Sequence, residues 1–199
     1  ARIVLPVSSE PIVNGVVRVE QGCITEVSKW GNLRGEVQDL GDTILMPGLV
    51  NAHCHLDYTS LAGRIPVSET FNGWITGIMR LKNEMSDDAW RVSWLKGSLQ
   101  CLQRGITTVG NIETRPDLLA ALWPETPLRL LSFLELIVVR PDSDSDRVVN
   151  EAVNWLQSHK PRRGAVGLSP HAAYTVKPDV LHQCVQASRK HGWRMTMHL

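Results

Sequence analysis

His53 and His55 flank Cys54 in the run Met46-Pro47-Gly48-Leu49-Val50-Asn51-Ala52-His53-Cys54-His55-Leu56-Asp57. Strand side chains alternate faces with a period of two, so an extended chain here sends both imidazoles to one side and Cys54 to the other. Two imidazoles aimed at one point are half of a divalent-metal site. The spacing by itself also fits two surface histidines, so the surrounding residues decide between the readings. A bound divalent cation lowers the pKa of its water toward neutrality, and activation of water is the chemistry such a site supplies.

Side chains placed this way need strands to carry them. From residue 46 onward strand-like and helix-like stretches alternate, with strands at 48–53, 107–112, 128–137, 165–169 and 195–198. Phe71, Trp74, Ile75 and Ile78 form a first helical stripe after a cap at Ser68 or Thr70. Ser86 caps a second helix that carries Trp90, Trp94, Gly97 and Cys101 along one face and ends at Gly105. Arg115 to Leu122 reads as a short helix, and Val148, Val149, Ala152, Trp155 and Leu156 mark the next. Leu181, Cys184, Val185 and Ser188 mark the last, with Pro178 near its start and Gly192 past its end.

This alternation predicts an α/β fold of parallel βαβ units, either an open doubly wound sheet or a closed (β/α)8 barrel. The polar residues favour the barrel. His53 and His55, Asn111 and Glu113, Glu135, His171 and His198 fall at the C-terminal ends of five successive strands, where barrel active sites assemble. Residues 46–199 are therefore read as the first part of a (β/α)8 barrel of about five strands. Residues 1–45, with short strands around the Asn14-Gly15 and Gln21-Gly22 turns, are read as an incomplete small β domain, a portion of a β-sandwich.

Composition narrows the function classes. Lys+Arg 21 stand against Asp+Glu 20 with no basic run, which excludes nucleic-acid binding driven by charge. No stretch is long and apolar enough to span a bilayer and no leader-like segment opens the chain, so the expectation is a cytoplasmic protein without a membrane partner. Cys23, Cys54, Cys101 and Cys184 form no CxxC pair. They are expected to be buried small hydrophobes rather than disulfides or thiolate ligands.

Three motifs carry a family resemblance. The run from Met46 to His55 resembles the first-strand signature of the amidohydrolase superfamily. Gly167-Leu168-Ser169-Pro170-His171-Ala172-Ala173-Tyr174-Thr175-Val176 resembles the fourth-strand signature of its deaminase and chlorohydrolase branch, and Met197-His198-Leu199 resembles the fifth-strand ligand motif. The resemblance implies that His53, His55 and His198 are metal ligands, and that His171 is a catalytic residue touching the substrate or its tetrahedral intermediate. It implies one divalent metal, Zn²⁺ or Fe²⁺, since no lysine stands on the fourth strand to bridge two.

The implied reaction is hydrolytic deamination of an aminated, purine nucleoside-like heterocycle by metal-bound hydroxide, with ammonia released. The run through Asp57 with Phe71 and Trp74 downstream is also similar to deaminases of the 6-amino-6-deoxyfutalosine type. Ring dechlorination and cyclic-amide hydrolysis share every ligand and stay open, as does a truncated, non-catalytic fragment. A sixth-strand histidine, an eighth-strand aspartate and a proton-shuttling glutamate after His198 are expected to come from a remaining barrel segment. The 199 residues alone are expected to be inactive, and a homodimer is the oligomer that the family implies.

Softer candidates surround these. Asp57 and Tyr58 either contact a polar substrate or cap a loop. Glu135 ends an otherwise apolar strand, where a carboxylate is costly unless paired or facing a pocket, and is read as a substrate contact, with Glu113 and Asn111 as weaker ones. Phe71 and Trp74 are spaced as core residues, although a loop over residues 57–70 can bring Phe71 to substrate. His159, His182 and His191 are expected to face solvent.

Overall fold

A computed structural model describes residues 1–31, 35–65, 67–140 and 142–199. The chain divides into two compact units, Ala1–Gly48 and Leu49–Leu199.

The first unit holds two small sheets. Strands β1 (Ile3–Val4), β2 (Ile12–Val13) and β5 (Ile44–Leu45) form one in the order β2-β1-β5, and β3 (Gly15–Glu20) and β4 (Cys23–Lys29) form an antiparallel hairpin. The hairpin turn places Gln21 at φ 52° and Gly22 at φ 77°, two successive left-handed residues as a tight turn of primed type requires. At the other turn it is Asn14, at φ 51°, that takes the left-handed conformation. Gly15 serves a different need, because a Cβ there would lie 2.5 Å from a methyl of Val4.

The second unit is a five-stranded parallel sheet with helices. Its strands are β6 (Leu49–Cys54), β7 (Ile106–Glu113), β8 (Arg129–Leu136), β9 (Gly164–Pro170) and β10 (Arg194–Met195). Each pairs in parallel with its predecessor, giving the order β10-β9-β8-β7-β6 with no reversal. A doubly wound sheet reverses its order at a switch point, whereas strands added always to the same side curl toward a barrel. The fifth strand is shorter than the sequence suggests, ending at Met195. His198 is nevertheless tied to the fourth strand's end, by a parallel bridge to Ala172 and by its N–H donating to the His171 carbonyl at 2.8 Å.

The helices are α1 (Phe71–Asn83), α2 (Asp87–Gln103), α3 (Pro116–Leu122), α4 (Ser145–Ser158) and α5 (Pro178–His191). Thr70 caps α1 by accepting from the Gly73 N–H, and Ser86 caps α2 by accepting from the Ala89 N–H, each satisfying one orphan donor of a first turn. Gly192, at φ 67°, closes α5 in the left-handed conformation. The core packs Trp90, Trp94 and Cys101 of α2 with Val109 of β7, Leu130 and Leu134 of β8, Val166 and Leu168 of β9, and Val180 and Cys184 of α5. No helix among the described residues is long and apolar enough to cross a membrane.

Two sequence expectations need correction. The helical stripe of α1 buries Ile78 and Leu81 but leaves Phe71 56% and Trp74 44% exposed, because the first turn of the helix runs past the core it packs against. Of the four cysteines, Cys101 and Cys184 are buried and Cys54 half-buried, whereas Cys23 is exposed at the first position of β4.

Candidate metal centre

Strand parity sorts the chemistry into two faces. On β7, Val109, Asn111 and Glu113 share the face that meets the helix layer, and the ladder pairs Asn111 with Ser132 and Glu113 with Leu134. Phe133 and Glu135 of β8 take the opposite face. There the Phe133 ring lies over Gly110 and Gly167: a Cβ on Gly167 would come 2.8 Å from the ring, and one on Gly110 3.4 Å. Cys54 turns into the core, while His53 and His55 turn to the face that Glu135 occupies.

That face gathers His53, His55 and His198, each offering one ring nitrogen within 4.8 Å of the others. Nε2 of His55 and Nε2 of His198 lie 3.2 Å apart. Two ligands on a tetrahedral centre at bond lengths of about 2.0–2.1 Å would stand roughly 3.3 Å apart, so the pair already has the edge length of such a site. Burial first, then the neighbouring His53, His198, Lys82 and His171, bring the pKa of His55 down to about 3. Burial and His198 also lower His53. These rings are therefore neutral and keep lone pairs for a cation. The donor set and its spacing fit a divalent metal.

Hydrogen-bond partners fix the tautomers. His198 Nδ1 sits 3.0 Å from the His171 carbonyl, which can only accept, so Nδ1 carries the proton and Nε2 the lone pair. His171 Nδ1 sits 2.6 Å from Thr175 Oγ1, whose own proton goes to the Ala172 carbonyl. The neutral His171 thus donates to Thr175 and presents a lone pair at Nε2. Its ring lies 4.7 Å from that of His198, and burial, then His198, lowers its pKa.

A second group converges on the same histidine. Glu135, His171 and His198 also bring one ligand atom each within 4.8 Å. The Glu135 side chain is 3% exposed, its Oε1 has no hydrogen-bond partner, and that oxygen lies 4.0 Å from His198 Nδ1. Burial raises its pKa to about 7, with Lys82 opposing and Asp57 adding to the rise.

The softer candidates fall differently. Asp57 is 2% exposed; its carboxylate takes an ion pair from Lys82 at 3.3 Å and a hydrogen bond from Thr114 at 3.1 Å. Tyr58 stacks on His55, and Lys82 Nζ stands 4.4 Å from the centre of the Tyr58 ring. Phe71 meets the edge of Tyr174 at 6.4 Å, and Tyr174 meets His171 at 6.2 Å, so Phe71 reaches the site through an intervening aromatic ring. Glu113 and Asn111 are not pocket residues. Glu113 accepts from Trp94 Nε1 and Ser132 Oγ, and Asn111 accepts the Leu56 N–H at 2.9 Å, beyond the last paired residue of β6. His182 is exposed on α5, as expected, whereas His159 and His191 are half-buried, His159 stacked on Trp155 and His191 on Trp193.

Sequence reasoning overlooked Lys82 and Thr175. Lys82 had a signal, since it continues the α1 stripe one turn after Ile78 as a lone cation on an apolar face. Thr175 stands four residues after His171 inside a motif already singled out, at the spacing a turn needs to return a hydroxyl to the ring.

Comparison with known proteins places these observations. The model of the amidohydrolase family matches residues 44–199. A 5-methylthioadenosine/S-adenosylhomocysteine deaminase from Nitratidesulfovibrio vulgaris is 28% identical over 203 residues, covering 94% of this chain and 44% of its own length. The crystal structure of Helicobacter pylori aminofutalosine deaminase in complex with methylthio-coformycin superposes with a TM-score of 0.81 at 19% identity, over 99% of this chain and 49% of that one. The atrazine chlorohydrolase of Arthrobacter aurescens, complexed with zinc, gives 0.79 at 17% identity, over 100% and 51%. The chain thus spans about half the length of the relatives it matches.

Proposed function

The chain belongs to the amidohydrolase family, and on that premise we propose that it carries the first part of the active site of a metal-dependent hydrolytic deaminase acting on an aminated, purine nucleoside-like heterocycle. The observation that carries the reading is the convergence of His53, His55 and His198 beside His171. Deaminases acting on adenosine-type nucleosides among the relatives support the substrate class.

A divalent cation, when bound, supplies the acidity that makes hydroxide available near neutral pH. Three imidazoles suit both Zn²⁺ and Fe²⁺. His53, His55 and His198 would hold it, and the His198 N–H to the His171 carbonyl fixes the orientation of the third. His171 holds a lone pair at Nε2, placed to accept a hydrogen bond from the substrate's amino group or from the water that adds to the ring. Phe71 and Tyr174 present aromatic faces against which a planar heterocycle can stack and exclude water. Asp57 acts through Lys82, whose ammonium it holds beside Tyr58. Overall the reaction exchanges a ring C–NH2 for C=O, consuming water and releasing ammonia. In this reading a further barrel segment supplies the remaining ligands and the proton shuttle.

The test is ammonia release by the metal-loaded full-length protein on a panel of aminated purine nucleosides, including 5'-thioether and aminodeoxyfutalosine types, with chloride release from a chlorinated ring followed in parallel. Ammonia from a nucleoside supports the proposal. Chloride or cyclic-amide products without ammonia replace it with the other reactions that this ligand set can serve.

A further inference from the structure

We propose that the site offers a divalent cation a second, alternative position, made by Glu135, His171 and His198 beside the one made by His53, His55 and His198. Three observations converge on it. The three side chains bring one ligand atom each within 4.8 Å. The Glu135 side chain is 3% exposed and leaves Oε1 without any hydrogen-bond partner. A buried carboxylate oxygen with nothing to accept is costly to maintain, and a cation removes that cost. His171 is locked by Thr175 in the tautomer whose Nε2 carries a lone pair, while His198 turns Nδ1 toward Glu135 at 4.0 Å, so a cation in this position would take that nitrogen in place of the proton it gives to the His171 carbonyl.

Two histidines and one glutamate form a donor set that holds catalytic zinc elsewhere, as three histidines do. His198 has one lone pair to give, so the two positions exclude each other and share a single cation. A cation that moves between them stays on His198 while exchanging His53 and His55 for Glu135 and His171. The inference rests on the reading of His198 as a ligand and is independent of the substrate.

The experiment is Zn²⁺ binding to the metal-stripped full-length protein, measured by competition with a chromophoric chelator, with circular dichroism to establish folding. Wild type is expected to bind one equivalent. His55→Ala is expected to retain one equivalent at reduced affinity, and adding Glu135→Gln to that variant is expected to weaken binding by about tenfold or more. A folded His55→Ala protein that binds no Zn²⁺, or a double variant that binds as the single one does, overturns the proposal. If wild type itself binds no Zn²⁺, the metal reading of the whole site fails with it. Should His55→Ala not fold, anomalous diffraction from wild-type crystals decides. Zinc density about 2.0–2.2 Å from a Glu135 oxygen supports the second position, and density confined to His53, His55 and His198 overturns it.

Discussion

Tyr58 lies against the imidazole of His55, with ring centroids 4.6 Å apart and planes 23° from parallel. The same phenol receives Lys82 Nζ at 3.4 Å, and Lys82 is held by Asp57, so a charged network ends on the back of a candidate ligand. Stacking of this kind fixes the plane in which a ligand nitrogen points.

Removing the stacked ring should therefore loosen the metal. Tyr58→Ala is expected to lower Zn²⁺ affinity of the full-length protein by about tenfold, within the range seen for groups that orient ligands. Tyr58→Phe keeps the ring and should bind close to wild type. Chelator competition measures both, and equal loss in the two variants would point to the hydroxyl instead.

Thr175→Val deletes the oxygen that holds the His171 N–H. One lost hydrogen bond of about 1 kcal/mol frees the ring to change tautomer, and kcat of the full-length protein for the proposed deamination should fall by roughly fivefold to tenfold. Imidazole 15N shifts provide the direct check, since wild type should show the proton on Nδ1 and the variant a mixture.

Glu113 sets a pH dependence of stability. Burial raises its pKa from 4.5 to about 7, against the pull of Asn111, Trp94 and Ser132, with Asp57 adding to the rise. Between those values the folded chain keeps a proton that the unfolded chain has released, so this contribution is complete below the lower value and is lost as pH climbs through the upper one. The loss is of the order of 3 kcal/mol. Urea unfolding of wild type and Glu113→Gln at pH 5 and pH 8 should show the steeper decline in wild type; parallel declines would remove Glu113 as the cause.

Gly97 of α2 admits the turn that follows the ligand strand. A Cβ there would sit 2.4 Å from Thr59 Oγ1 and 2.9 Å from the Leu56 carbonyl. Gly97→Ala is expected to destabilise by about 1–3 kcal/mol, offset in small part by better helix propensity. Thermal unfolding should show a midpoint lower by several degrees, and an unchanged midpoint would mean that Leu56–Leu61 yields freely.

Residue order alone determined the alternation of strands and helices, the cap at Ser86, and the pairing of His53 with His55 on one side of a strand, and it left the cap of α1 between Ser68 and Thr70. Each of these follows from local periodicity or from a side chain reaching a neighbouring backbone group. Tertiary structure decided which face of each strand looks inward. A period of two relates His53 to His55 and Asn111 to Glu113, but it does not say which pair meets the helix layer; the ladder between β7 and β8 does, sending Glu113 to Trp94 and leaving Glu135 beside His198. Tautomers were beyond the sequence for the same reason. The proton on His198 is placed by the carbonyl of His171, a residue 27 positions away in the chain, and only the parallel bridge between the two strand ends brings that carbonyl within reach.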